Sequence, residues 1–102
     1  MPTYIVRFRY TAKALENIAE TPRRLDAFKE FFRSQSVEVK SFYLTMGQYD
    51  GEFVLEASDD ELLARTILAW TARGTITTET TRAFTEEEFR RIGDSLPSAL
   101  TR

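Results

Sequence analysis

The chain contains neither cysteine nor histidine. Without them it cannot assemble a disulfide framework, a thiol nucleophile, a Cys/His zinc site, a histidine-ligated haem or a Ser-His-Asp triad. Glycine is scarce. Gly47, Gly51, Gly74 and Gly93 are the four in 102 residues, and they are too scattered for a phosphate-cradling loop. No apolar run approaches the ~18 residues of a membrane span. The opening stretch, Met1 to Tyr10, carries Arg7 and Arg9 and does not read as a signal peptide. A basic surplus is also missing: 14 Lys and Arg stand against 16 Asp and Glu, a net charge of −2. That balance argues against nucleic acid as a partner. No membrane partner, no metal site and no cofactor are expected, and the expected location is cytoplasmic.

What is present suits one globular domain over residues 1–102, with 92–102 as a peripheral tail. Hydrophobic residues make up 42% and charged ones 29%, and the length is too short for two cores. Thr3 to Tyr10 is β-branched and aromatic, which predicts a strand. Its residues alternate, with Tyr4, Val6, Phe8 and Tyr10 on one side and Ile5, Arg7 and Arg9 on the other. Between Thr11 and Glu20 only a short helical turn fits. Thr21 followed by Pro22 predicts an N-cap and first helical residue, and Leu25, Phe28 and Phe32 supply the apolar stripe. Val37–Met46 and Tyr49–Ala57 read as two strands joined by a hairpin near Gly47 and Gly51. Ser58-Asp59-Asp60-Glu61 reads as a capping box opening a helix to Arg73, with Leu63, Ile67 and Trp70 inward. Thr75–Phe84 reads as the fourth strand. Thr85 to Glu88 is a second capping box before a short helix, with Phe89 and Ile92 expected to face inward.

The order is βαββαβ plus a C-terminal helix. This is an α+β, ferredoxin-like arrangement: a four-stranded antiparallel sheet with its first and third strands central and its helices on one face. The other face would carry Ile5, Arg7 and Arg9 beside Glu52, Val54 and Glu56, joined by Thr77, Glu79 and Thr81. It is either a solvated ladder, with Arg7 and Arg9 paired to Glu52 and Glu56, or a surface covered by a second sheet. The 13% aromatic content exceeds what one small core needs and favours the second sheet. The acidic runs Asp59–Glu61 and Glu86–Glu88 lie at helix starts, where capping explains them.

The segment Phe42 to Asp50 stands apart. Tyr43, Tyr49 and Asp50 flank a strand connection. Tyrosines offer aromatic walls and hydroxyls, and a carboxylate beside them can orient a ligand or act as a base. Alternatively, Asp50 holds turn amides and Tyr49 packs under the hairpin. At this motif the chain resembles the GYD-domain family, on Gly47, Tyr49 and Asp50. The likeness extends through Met1–Val6, Thr21–Leu25, Glu56–Glu61 and Thr78–Thr85 with Glu88, over roughly residues 2 to 92.

The resemblance implies a dimeric α/β barrel in which two sheets pack face to face, hence a homodimer. The family has no assigned activity. Cofactor-free monooxygenases and isomerases share the wider fold, but fold does not transfer function. Arg82 matches the family's arginine in the last strand. Gly51-Glu52, Arg7 and Arg9 stand where the family is more apolar, so this member's interior would be charged. The candidate ligand-binding residues are therefore Arg7, Tyr43, Gly47, Tyr49, Asp50 and Arg82, with Asp50 the candidate catalytic group. The expected function is binding of a small polar or aromatic ligand. The alternatives are a cofactor-free enzyme and a structural or regulatory interaction domain.

Overall fold

A computed structural model describes residues 1–97. Four strands form one antiparallel sheet in the order β2-β3-β1-β4: β1 (Thr3–Tyr10), β2 (Glu38–Leu44), β3 (Gly51–Glu56) and β4 (Ile76–Ala83). The helices are α1 (Ala12–Leu15), α2 (Thr21–Ser34), α3 (Asp60–Thr71) and α4 (Glu86–Asp94), and a 3-10 turn spans Ile18–Glu20. The ferredoxin-like order, the two central strands and the added C-terminal helix are as the sequence predicts.

The apolar stripes of α2 and α3 meet one sheet face. Phe28, Phe32, Leu63, Ile67 and Trp70 are buried against Tyr4, Val6, Phe8, Phe53 and Leu55. Phe28 is the hub of this core. Its ring stacks on Phe32 at 4.0 Å and on Phe53 at 4.1 Å and meets Trp70 edge-on at 5.2 Å. Offset and edge-on geometries of this kind add about 0.5–1.5 kcal/mol per pair beyond area burial. The single core therefore absorbs most of the aromatic side chains, and their number is no sign of a second sheet. Tyr43, Phe84 and Phe89 remain exposed.

Several local expectations change for physical reasons. Thr21 does not cap α2. The 3-10 turn runs straight into the helix, Thr21 is its first residue, and its hydroxyl donates back to Ile18 O at 2.8 Å. The start of α2 has no side-chain cap. At α3 the cap is Asp59, not Ser58: the Asp59 carboxylate accepts from Leu62 N–H at 2.8 Å. At α4 the reciprocal box forms as read, between Thr85 and Glu88. Accepting the Thr85 backbone N–H holds the Glu88 carboxyl below its usual range.

Phe89 and Ile92, expected inward, are 67% and 41% exposed, and α4 buries no residue. The helix follows an exposed strand end, so its apolar side meets no sheet surface. The Cα radius of gyration, 16.3 Å, exceeds the ~13 Å of a compact chain this long. Because α4 runs to Asp94, the expected tail at 92–102 begins inside a helix, and its last residues lie outside those described.

Candidate functional site

In an antiparallel sheet, residues directly opposed share a face. The register therefore sorts the candidate residues. On the face away from the helices, Tyr43, Glu52, Arg7 and Glu79 form one row across β2, β3, β1 and β4. The next row is Ser41, Val54, Ile5 and Thr81. Arg7 lies between two acids, with Glu52 its cross-strand neighbour as expected. Arg9 does not pair with Glu56: it lies opposite Thr77, and Glu56 lies opposite Thr3 at the far end of β1. Antiparallel register carries the two in opposite directions. Among the described residues neither arginine comes within ion-pair distance of a carboxylate.

Charge in this row still acts across the sheet. Arg7→Glu would place three acids side by side and should cost up to about 1 kcal/mol. Adding Glu52→Arg should restore part of the loss. A urea-melt double-mutant cycle measures the coupling, and strict additivity would contradict the row.

The Gly47–Asp50 segment is tied into the sheet end by named bonds. Thr45 N–H donates to Asp50 O at 2.9 Å, and the Thr45 hydroxyl donates to Tyr49 O at 2.7 Å. Asp50 N–H donates to Phe8 O at 2.8 Å, and its carboxylate accepts from Tyr10 N–H at 2.8 Å. Asp50 thus clamps the hairpin to β1 on both its backbone and its side chain. The Tyr49 hydroxyl donates to Glu79 at 2.7 Å, reaching over to β4, and that bond raises the phenol's pKa. The Arg9 guanidinium sits 4.9 Å from the Tyr49 ring centre and donates to Gln48 O at 2.7 Å. Gly47 lies in open space at the loop.

Arg82 is elsewhere. It lies opposite Tyr4, on the helix side of the sheet, whereas Asp50 bonds Tyr10. Those two positions of β1 are six residue steps apart, or about 20 Å at ~3.4 Å per residue. Tyr43, Arg7 and Tyr49 therefore share the open face, Asp50 edges it, and Arg82 stands apart. Arg82 donates to Thr3 O at 3.2 Å and to Ala83 O, lies 4.3 Å from the Phe84 ring centre, and pairs with Glu88 at 3.8 Å. These contacts fasten the start of α4 to the sheet.

Two partners escape sequence reading. Glu79 accepts from Tyr49; alternation along β4 puts Glu79 on the open face but does not bring Tyr49 to it. Asp60 accepts from the Tyr4 hydroxyl, and no spacing announces it. Burial, aided by that bond and by the Asp60 charge, pushes the Tyr4 phenol up to about 12. The native state therefore holds this proton after the unfolded chain, near 10, has released it. The proton's contribution to stability is intact below pH 10 and is lost as pH rises towards 12. Tyr4→Phe should flatten that alkaline fall and, below pH 10, cost about 1.5–3 kcal/mol for the bond to a carboxylate. Denaturant midpoints measured from pH 8 to pH 12 test both.

An aromatic-walled concavity lies on the other side of the sheet. A cavity of about 220 Å³ lies between the sheet and the first turn of α2. Phe8, Phe28, Phe42, Phe53 and Trp70 give it aromatic walls, while Tyr10, Thr21, Arg24 and Thr75 supply its polar groups. None of the ligand residues expected from the sequence lines it. Hydrophobic patterning marks its walls only as core, so no sequence signal separates the two roles. Among the described residues no acidic group of three or more is placed to hold a metal ion, and no helix is long and apolar enough to cross a membrane.

The chain is similar to known proteins. The family model described as GYD domain matches residues 4–92. A curated protein of Thermus thermophilus, named glutamine synthetase and cystathionine beta-lyase binding protein, is 34% identical over 84 residues. That match covers 81% of this chain and 88% of the relative. The crystal structure of TTHA0845, also from Thermus thermophilus, aligns with a TM-score of 0.54 at 23% identity, covering 83% of this chain and 95% of that one. This last likeness is one of fold.

Proposed function

The chain belongs to the GYD-domain family, and from that premise we propose that it works as a small protein-binding module. The observation that carries this reading is α4. The helix has nine residues and buries none of them, and isolated helices shorter than ~12–15 residues are marginal in water. Its Glu86–Arg90 and Glu87–Arg91 pairs lie along one side. Phe89 and Ile92, spaced to share the other, are exposed, as is Leu96 just beyond the helix end. An apolar stripe held out on a capped helix suits docking into a groove of another protein.

The partner class follows from the relative, whose name records binding to two metabolic enzymes. Purified glutamine synthetase and cystathionine beta-lyase, each immobilised for biolayer interferometry, are the direct test. The wild type should bind at least one of them. A Phe89→Asp, Ile92→Asp double variant should lose at least tenfold, because both changes put charge into the docked stripe. No binding to either enzyme, or full binding by the variant, overturns the reading.

The open sheet face supports self-association. Ile5 and Val54 are paired at its centre, half-buried and flanked by the Tyr43–Glu52–Arg7–Glu79 row. A second copy laid on this face would cover them and form the closed barrel expected of a homodimer. Light scattering coupled to size exclusion should then give twice the 11.8 kDa chain mass, and a monomer at micromolar concentration removes the proposal. A second reading, small-ligand binding, is favoured by the aromatic cavity beneath α2. Tyr43, Tyr49 and Arg7 on the open face would contribute to it only across a dimer seam.

A further inference from the structure

We propose that the cavity beneath the first turn of α2 binds a small aromatic carboxylate, its ring among the phenylalanines and its charge on Arg24. This rests on the small-ligand reading above and assigns its site and chemistry. A cavity of ~150 Å³ lined by apolar side chains already takes a benzene ring. This one, at about 220 Å³, has room for a one- or two-ring body. Its walls select such a body, because Phe8, Phe42 and Phe53 offer ring faces on the sheet side and Trp70 closes the end beside Phe28.

Charge decides the rest of the ligand. Arg24 is the one charged side chain among the lining residues. It is half-buried, makes no ion pair among the described residues, and donates one long bond, 3.4 Å, to Ala14 O. A guanidinium in that position gains from a carboxylate, which it can meet through two parallel bonds. The backbone adds to the same sign. Thr21, Pro22, Arg24 and Leu25 all line the cavity from the start of α2, where no side chain caps the helix. The positive end of a fourteen-residue helix favours an anion there. The Thr21 and Thr75 hydroxyls give further polar contacts. A neutral ring would fill the same walls and leave Arg24 and the helix end unanswered.

The test compares 2-naphthoate with its neutral counterpart 2-naphthol by isothermal titration on the intact chain. The wild type should bind the acid at least about tenfold more tightly than the alcohol, which is the discrimination a charge-assisted bond supplies. Arg24→Gln, on a half-exposed residue, should erase that difference by weakening 2-naphthoate. Leu25→Trp should fill the cavity and abolish both; if that variant does not fold by circular dichroism, the Arg24→Gln comparison decides alone. Failure of both compounds to bind the wild type overturns the small-ligand reading and this assignment with it. Equal binding of acid and alcohol, or an acid affinity unchanged by Arg24→Gln, overturns the carboxylate assignment and leaves a neutral pocket. Undiminished binding by folded Leu25→Trp places the ligand elsewhere and overturns the site.

Discussion

Gly51→Ala should destabilise the protein by about 3 kcal/mol, the upper end of ordinary overpacking. Strand propensity alone predicts the opposite sign, since glycine inside an element is usually worse than alanine. The reversal comes from Phe8. Gly51 lies directly opposite it, and an added Cβ would stand 2.3 Å from Cε2 and Cζ of that ring and 2.8 Å from the Tyr43 carbonyl oxygen. The backbone oxygen cannot yield cheaply. The ring is flanked by Phe42 and Phe53, whose centres lie 6.1 Å and 5.1 Å away, so it can yield only by tilting into the cavity it lines and giving up part of that stacking. For a domain this size the loss should lower the melting temperature by roughly 12–20 °C. Combining Gly51→Ala with Phe8→Leu should recover part of it by removing ring atoms at the clash. A melting temperature unchanged in Gly51→Ala would mean the ring does not lie over β3.

Asp50→Ala should cost about 1.5–3 kcal/mol, the range for losing a hydrogen bond to a charged group. The Asp50 carboxylate accepts the Tyr10 amide, and its own amide donates to Phe8 O. Alanine keeps the backbone bond and leaves the Tyr10 N–H with no side-chain acceptor. Asn at this position retains an acceptor oxygen and should cost less than Ala, because only the charge is lost. Hydrogen exchange sharpens the test: the Tyr10 amide should exchange faster in Asp50→Ala, while core amides on β3 change only with global stability. Slow exchange at Tyr10 in that variant would show that the clamp is dispensable. Equal losses for Asn and Ala would show that the acceptor is not what matters.

The motif and the cavity differ in how far the sequence exposes them. Gly47, Tyr49 and Asp50 can be picked out because tyrosine and aspartate beside a glycine-bearing strand connection are unusual chemistry. The sequence leaves two readings for them. The contacts of Asp50 with Phe8 and Tyr10, and of Tyr49 with Glu79, tie those two residues to the neighbouring strands. Arg82 joins this group in sequence only through the resemblance to the same family. Antiparallel register separates it from Asp50 by the length of β1, and no one-dimensional pattern contains that distance. Arg24 illustrates the converse. In sequence it is one of a basic pair at a helix start, and only folding brings the start of α2 over a gap in the aromatic core.

The alternation of β1 and β3, the stripes of α2 and α3, and the glycine and proline positions determine the order of elements. They also determine which residues face the helices. Those features are local: a side chain's face follows from a two- or three-to-four-residue period, and neighbouring residues carry it. Local chemistry also settles the capping of α4, where Thr85 and Glu88 need only each other. The tertiary structure alone decides what depends on residues distant in sequence. It sets Arg7 between Glu52 and Glu79, gives Tyr4 the Asp60 carboxylate, lays the Phe8 ring over Gly51, and leaves Phe89 and Ile92 without a surface to cover. The reason is that periodicity fixes direction within an element, whereas register, helix placement and empty volume arise from how elements pack against one another.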